Sequence, residues 1–110
     1  MAYETDLADR IRELLGPLRG VDEKRMFGGL AFLINGSMAV AVSGQGGLTV
    51  RVPPEDTEKL LGRAHVSPMV MGGRDVRGWI RVGSAGVETT RQLTDWVTRG
   101  ADYACTLPRR

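Results

Sequence analysis

Residues 26–50 form a run of 25 residues that carries no charged side chain and contains six glycines. A run of this length could cross a membrane as a helix. Asn35-Gly36, however, is the pair most favoured in two-residue hairpin turns, because both central positions need a positive φ. The other glycines lie between short segments that alternate in side-chain size. The run is therefore predicted to fold as a β-meander.

The alternation within this run predicts which side chains face a core. Strands are expected over 30–34, 37–43 and 48–52, after a first strand near 24–27, and successive side chains of a strand point to opposite faces. The bulky side chains expected on the core face are Leu30, Phe32, Ile34, Met38, Val40, Val42, Leu48, Val50 and Val52. The small side chains of Ser37, Ala39 and Ala41 are expected on the opposite face.

Helical periodicity is strongest at the two ends of the chain. Leu7, Ile11, Leu14, Leu15 and Leu18 share one helical face, and Gly16-Pro17 is a typical helix end. A second helix, capped by Thr89 or Thr90, is expected to run to about Leu107. Its apolar stripe comprises Leu93, Trp96, Val97, Ala101, Ala104 and Leu107.

The remaining segments complete the predicted order of elements. A short helix should follow Pro53-Pro54, residues 63–74 should form an irregular crossing with a turn or a short strand, and 77–82 should form a strand. The expected order is α-β-β-β-β-α-β-α. Clustered strands favour an antiparallel sheet, and the chain is interpreted as one α+β domain over 1–110, with two layers.

Composition narrows the classes of function. A chain of 110 residues can bury a core without a metal or a disulfide, and its single cysteine cannot form an internal disulfide. A basic and apolar leader is not expected at the N-terminus, and a reducing, cytoplasmic location away from membranes is predicted. The net charge of +2 is weak support for binding nucleic acid.

Residues with catalytic or metal-binding chemistry are sparse. His65 and Cys105 are the only residues of their types, whereas a structural zinc site usually needs about four nitrogen or sulfur ligands. Cys105 is expected to pack as a small hydrophobic residue on the last helix. The glycine clusters precede strands rather than a phosphate-binding helix. We therefore expect no catalytic residue, no metal and no cofactor, and interpret the chain as a protein that is not an enzyme.

One candidate binding face emerges from the predicted strands. Arg51, Arg77, Trp79 and Arg81 should all lie away from the bulky apolar side. Arginine and tryptophan on a sheet surface can neutralise phosphates and stack on bases. Alternatively, the arginines are ordinary solvent-facing residues and Trp79 is covered by a helix or a partner subunit. Because Ser37, Ala39 and Ala41 would permit close approach, a homodimer interface is a competing use of this face.

A family resemblance follows from two blocks of sequence. Lys24-Arg25-Met26-Phe27-Gly28-Gly29 and Gly78-Trp79-Ile80-Arg81-Val82 resemble the TfoX N-terminal domain family. The resemblance implies a small bacterial α+β domain with no catalytic residue and no cofactor. The namesake regulators of natural competence act with the cyclic-AMP receptor protein and carry a second, C-terminal domain. Because this chain ends at Arg110, we expect a stand-alone N-terminal-type domain to which that role does not transfer directly.

Three hypotheses of function result. The first is a non-enzymatic regulatory or protein-interaction domain, with an unknown protein partner and a link to transcription or competence. The second is a nucleic-acid-binding module that uses the arginine and tryptophan face. The third is a small-ligand binder or enzyme with its site near residues 63–74. The Lys24 to Gly29 block is given a structural role, in which Phe27 anchors a strand in the core and Gly28-Gly29 permits a bend.

Overall fold

The structure is a computed structural model, and it describes residues 5–18, 20–26, 29–44, 46–71 and 73–107. Three α-helices are α1 (Thr5–Leu15), α2 (Thr57–Leu61) and α3 (Thr90–Thr106). The strands are β1 (Val21–Met26), β2 (Gly29–Ile34), β3 (Ser37–Val42), β4 (Leu48–Arg51), β5 (Val66–Met71) and β6 (Arg74–Val82). Short 3₁₀ helices lie at Pro54–Asp56 and Ser84–Gly86.

The described strands form one antiparallel sheet with the order β1-β2-β3-β4-β6-β5. The α+β class and the meander are therefore confirmed. Within the segment 63–74, where an irregular crossing with a turn or a short strand was expected, the structure has the six-residue strand β5. Pro68 is atypical of a strand, and the pairing of β5 with β6 shifts register between Pro68 and Val70. β5 pairs with β6, so two strands follow the meander.

The core lies between one face of the sheet and the helices. α3 packs across β2, β3 and β4, and α1 packs against α3. We call this side of the sheet the covered face. Its buried side chains include Ile11, Phe32, Ile34, Val40, Val42, Leu48, Val50, Ile80, Leu93, Trp96 and Val97. Within the described ranges, no helix combines the length and apolar composition that a membrane crossing requires.

A β-bulge in β3 changes which of its side chains face the core. Phe32 pairs with Val40 but Leu33 pairs with Met38, so Ala39 is the extra residue. Ala39 is consequently buried under α3, and Ser37, opposite Ile34, is also buried. The predicted small-residue face of Ser37, Ala39 and Ala41 is therefore wrong for Ala39, whereas Ser37 and Ala41 line the cavity on the other side of the sheet. Met38, expected in the core, lies on the opposite side with Leu33.

The ends of the helices follow local sequence signals. α1 ends at Leu15, directly before Gly16-Pro17, and Leu18 is exposed rather than on the buried stripe. Thr89 caps α3 in a capping box, in which its hydroxyl accepts from the Gln92 backbone N–H and the Gln92 side chain accepts from the Thr89 N–H. The predicted buried stripe of α3 is observed from Leu93 to Ala104.

An ion pair ties α1 to the edge strand β1. Arg12 donates two hydrogen bonds of 2.7 Å to the two carboxylate oxygens of Glu23, and a third of 2.6 Å to Asp9. The bonds from Arg12 lower the pKa of Glu23 below its ordinary value, against a smaller opposing effect of burial. This pair links the N-terminal helix to the edge strand of the sheet.

Candidate binding groove on the open sheet face

The face of the sheet opposite the helices forms a groove of about 630 Å³. We call this side the open face. Its lining comes from β2 to β6 and the turns between them, and no described helix residue contributes to it. The apolar side chains that line the groove are Leu33, Met38, Met69, Val70, Val76 and Trp79. Since five neighbouring strands line one cavity, the open face must be concave.

Strand register explains how the groove residues come together. Residues directly opposite one another on neighbouring strands point to the same side of a sheet. Ala41 lies opposite Thr49, which lies opposite Arg81, and Arg51 lies opposite Trp79. Arg51, Trp79 and Arg81 therefore share the open face, as the sequence predicted.

Arg77 is not part of this face, so the predicted set of four residues is reduced to three. Gly78 has φ +90 and interrupts the alternation of β6, so that Val76 and Trp79 both line the groove. The Arg77 guanidinium instead donates to the Pro54 carbonyl oxygen over 3.2 Å. The Gly78 N–H donates to the Thr57 hydroxyl over 2.8 Å, which holds the irregularity in place. A glycine inside a strand is the sequence signal for such a break.

Arg51 is held by two aromatic rings. The central carbon of its guanidinium lies 5.0 Å from the centroid of the Trp79 ring and 5.9 Å from that of Tyr103. Both distances are within the range of cation–π attraction. Tyr103 was missed by the sequence analysis, because nothing in the periodicity of α3 places its C-terminal half beside the end of β4.

The groove is electropositive at its polar positions. Arg81 donates to the Ser43 hydroxyl over 3.2 Å, and Thr49 beside it is buried. Two arginines, Arg51 and Arg81, line the groove. Positive charges that line a groove raise the local concentration of negatively charged groups.

His65 and Cys105 do not form a site. His65 lies in the turn before β5 with φ +66, and its carbonyl oxygen accepts from the Gly83 N–H over 2.8 Å. Cys105 is exposed near the end of α3, so the expectation that it packs as a core residue is wrong. Its position is one residue past Ala104 and therefore off the buried stripe. In the described part of the chain, no cluster of His, Cys, Asp or Glu could hold a metal.

The basic and glycine-containing block lies at one edge of the sheet. Lys24 and Arg25 are exposed on β1, and Met26 pairs with Gly29. A Cβ atom at Gly29 would collide with the carbonyl oxygen of Val42, so this glycine has a structural role. Phe27 and Gly28 lie outside the described residues, and the anchoring role of Phe27 stays a prediction.

The comparison with known protein families agrees with this architecture. The model of the TfoX N-terminal domain family matches residues 13–104, which run from the second half of α1 to near the end of α3. Among curated proteins, none matches the chain. A match over this span includes every strand of the sheet and the long helix that covers it. The chain therefore belongs to the TfoX N-terminal domain family.

Proposed function

We propose that this chain is a non-enzymatic regulatory module that binds an apolar segment of a partner protein in the groove of its open face. The observation that carries the proposal is the asymmetry of the sheet: helices cover one face, and a groove lined by apolar side chains occupies the other. The partner is a segment of a different protein. Family membership supports a regulatory setting linked to transcription.

The size and composition of the groove suit a peptide segment. Its volume of about 630 Å³ lies within the range of about 300–1,000 Å³ typical of binding pockets. Met38 and Met69 supply flexible, polarizable side chains that adapt to different apolar partners. Trp79 adds a large and rigid contact surface of the kind enriched in protein interfaces.

The lining gives little support to catalysis. Serine and threonine hydroxyls are present, but His65, the one histidine of the sequence, does not line the groove to act on them as a general base. The third sequence hypothesis, a ligand or enzyme site near residues 63–74, shares part of this surface, because Met69 and Val70 line the groove. Their apolar character favours binding over chemistry.

Nucleic acid is supported less well than protein. Phosphate contacts provide most of the affinity of nucleic-acid binders, and each needs a cation. Only Arg51 and Arg81 of the predicted set line the groove, since Arg77 bonds to Pro54 on another side. Apart from Trp79, the side chains of its apolar lining are aliphatic. This surface would leave most of the negative charges of a sugar-phosphate backbone without a cationic partner.

A site-specific crosslinking experiment tests the proposal. A photoreactive amino acid replaces Met38 in the groove or, as a matched control, the exposed Arg91 on α3. We expect position 38 alone to crosslink a defined segment of another protein. A synthetic peptide of that segment should then bind the purified chain and change the fluorescence of Trp79, which is lost in Trp79→Phe.

Three outcomes would overturn the proposal. Crosslinks from position 38 to a second copy of the chain would identify a homodimer interface instead. Crosslinks to nucleic acid would favour the arginine and tryptophan face as a nucleic-acid site. Equal crosslinking from positions 38 and 91, or a segment peptide that does not bind, would remove the groove as a specific site.

A further inference from the structure

Arg51 occupies a distinctive position within the groove. It lies on β4, with β3 and β2 on one side and β6 and β5 on the other. Leu33 and Met38 line the groove on the first side, and Met69, Val70 and Val76 line it on the second. The charge is therefore flanked by apolar surface in both directions across the sheet.

The described residues around Arg51 restrict the position of its guanidinium but do not accept hydrogen bonds from it. Trp79 and Tyr103 lie 5.0 and 5.9 Å from the guanidinium carbon and restrict its position. Within the residues that the structure describes, no carbonyl, hydroxyl or carboxylate accepts a hydrogen bond from Arg51. By contrast, Arg12 binds Glu23, Arg10 binds the Val87 and Glu88 carbonyls, and Arg77 binds the Pro54 carbonyl.

An occupant of the groove would remove water from this half-buried guanidinium. Burying a charged group without a partner costs free energy, so a stable complex needs an acceptor at this point. The planar guanidinium, with its fork of N–H donors, matches a carboxylate through two parallel hydrogen bonds. Arg81 contributes a second positive charge on the same face.

We infer that Arg51 recognises the carboxylate of an aspartate or glutamate within the bound segment, with apolar residues on both sides of it. This inference rests on the proposed function and adds the chemistry of the partner. The carboxylate belongs to an internal side chain rather than a chain end, because apolar lining continues on both sides of Arg51. The flanking apolar residues contact Leu33 and Met38 on one side and Val76 and Met69 on the other.

Selection from a random library tests this inference with a defined probe. Dodecapeptides displayed on phage are selected on the full chain, and the enriched sequences are synthesised with amidated and free C-termini. We expect an acidic residue flanked by apolar residues, with equal binding of both C-terminal forms. Fluorescence anisotropy of the labelled peptides then gives their affinities.

Substitutions locate the carboxylate contact. Arg51→Gln should weaken binding by about tenfold or more, as expected for the loss of a hydrogen-bonded charge pair. Arg51→Lys, which keeps the charge but not the fork, should weaken it less. The matched control Arg74→Gln alters an exposed arginine of β6 that does not line the groove and should leave affinity unchanged. Replacing the acidic residue of the peptide by its amide should weaken binding to the unaltered chain as much as Arg51→Gln does. Combining the two changes should weaken binding little more than either change alone.

The possible failures are distinguishable. If no peptide is enriched, or if binding survives Met38→Arg in the groove, the proposed function itself fails. If peptides bind in the groove but lack an acidic residue, or bind Arg51→Gln unchanged, only the carboxylate inference fails. Binding by free C-terminal forms alone would also overturn it. Should Arg51→Gln not fold, the acid-to-amide change in the peptide tests the same contact on the unaltered chain.

Discussion

The two faces of the sheet carry different rows of side chains across the same four strands. On the covered face, Phe32, Val40, Val50 and Ile80 lie side by side, and each is 0% exposed. One position along, on the open face, the row is Ala31, Ala41, Thr49 and Arg81. The first row consists of large apolar side chains, whereas the second changes from small to polar to charged.

The difference between the two rows indicates different roles for the two faces. The covered row meets α3, so its side chains must fill the space between sheet and helix at the density of a protein interior. On the open side no described helix residue lines the groove, although Ala31 and Thr49 of this row are themselves buried. Stability is thus expected to depend mainly on the covered face, and binding mainly on the open face.

The largest difference in the free energy of unfolding is expected when adjacent residues on the two faces are truncated to alanine. Phe32→Ala should lower the free energy of unfolding by about 3–5 kcal/mol, because it removes a buried aromatic ring and leaves a cavity. Leu33→Ala, one residue along and half-buried on the open face, should cost about 1 kcal/mol or less. Urea denaturation of both variants measures the contrast. Similar losses for the two variants would show that the open face is also packed in the folded chain.

A methyl group added at Gly100 should break the close contact between α3 and β3. Its Cβ atom would lie 2.5 Å from the Ala39 carbonyl oxygen and 2.9 Å from a Val40 methyl. Helix propensity alone would stabilise Gly100→Ala by about 1 kcal/mol. Overpacking typically costs about 1–3 kcal/mol, so we expect net destabilisation of about 1 kcal/mol.

The control for this prediction is Thr98→Ala, which changes an exposed position of the same helix and should alter stability by about 0.5 kcal/mol or less. Thermal and urea unfolding measure the stability of both variants. If Gly100→Ala proved more stable than the unaltered chain, α3 would have to lie farther from β3 than the structure places it.

Acid should weaken the ion pair that joins α1 to β1. Because the folded-state pKa of Glu23 is depressed below 4.5, its contribution to stability is present above that pH and is lost as the pH falls through the lowered value. The pKa of Arg12 is raised, so Arg12 stays charged throughout this range. Both side chains are partly exposed, so the effect should be small and weaker in high salt.

Comparison of Glu23→Gln with the unaltered chain in urea at pH 7 and pH 3 measures this contribution. The difference in unfolding free energy should shrink at pH 3. Glu58→Gln, at an exposed position of α2, serves as the matched control. A Glu23→Gln difference that stays constant between the two pH values would show that the pair does not form in solution.

The smallest expected effect on stability lies at the rim of the groove. Val70 is 54% exposed, and Val70→Ser should change the free energy of unfolding by about 0.5 kcal/mol or less. It should nevertheless reduce the binding of an apolar fluorescent dye, because it removes an apolar surface from the groove. Dye titration of this variant beside Leu18→Ser, an exposed leucine outside the groove, distinguishes the groove from general surface hydrophobicity.

Much of the fold could be predicted from local patterns. The uncharged run, the Asn35-Gly36 turn and the apolar stripe of α3 identified the meander and its covering helix, because turn chemistry and periodicity depend on neighbouring residues. The length of β5 was underestimated, since Pro68 is atypical of a strand and residues 66–71 show no clear alternation. The candidate site was predicted in part: Arg51, Trp79 and Arg81 share a face, but Arg77 does not.

The errors share a physical origin. The bulge at Ala39 and the positive φ of Gly78 each shift the side-chain alternation by one residue, which moves Met38 into the groove and Arg77 out of it. Tyr103 joined the site through the docking of α3 against the sheet. Contacts between distant segments depend on the packing of the whole domain, and no local pattern encodes them.

The sequence by itself determined the α+β class, the helix ends and most of the core, because these follow from side-chain size, turn residues and caps that act over a few positions. Only the tertiary structure decided which face stays open, which arginines share it and which aromatic rings hold Arg51. Those features arise where strands and helices distant in the chain meet, and the small bulges that redirect their side chains become visible only when the strands are paired.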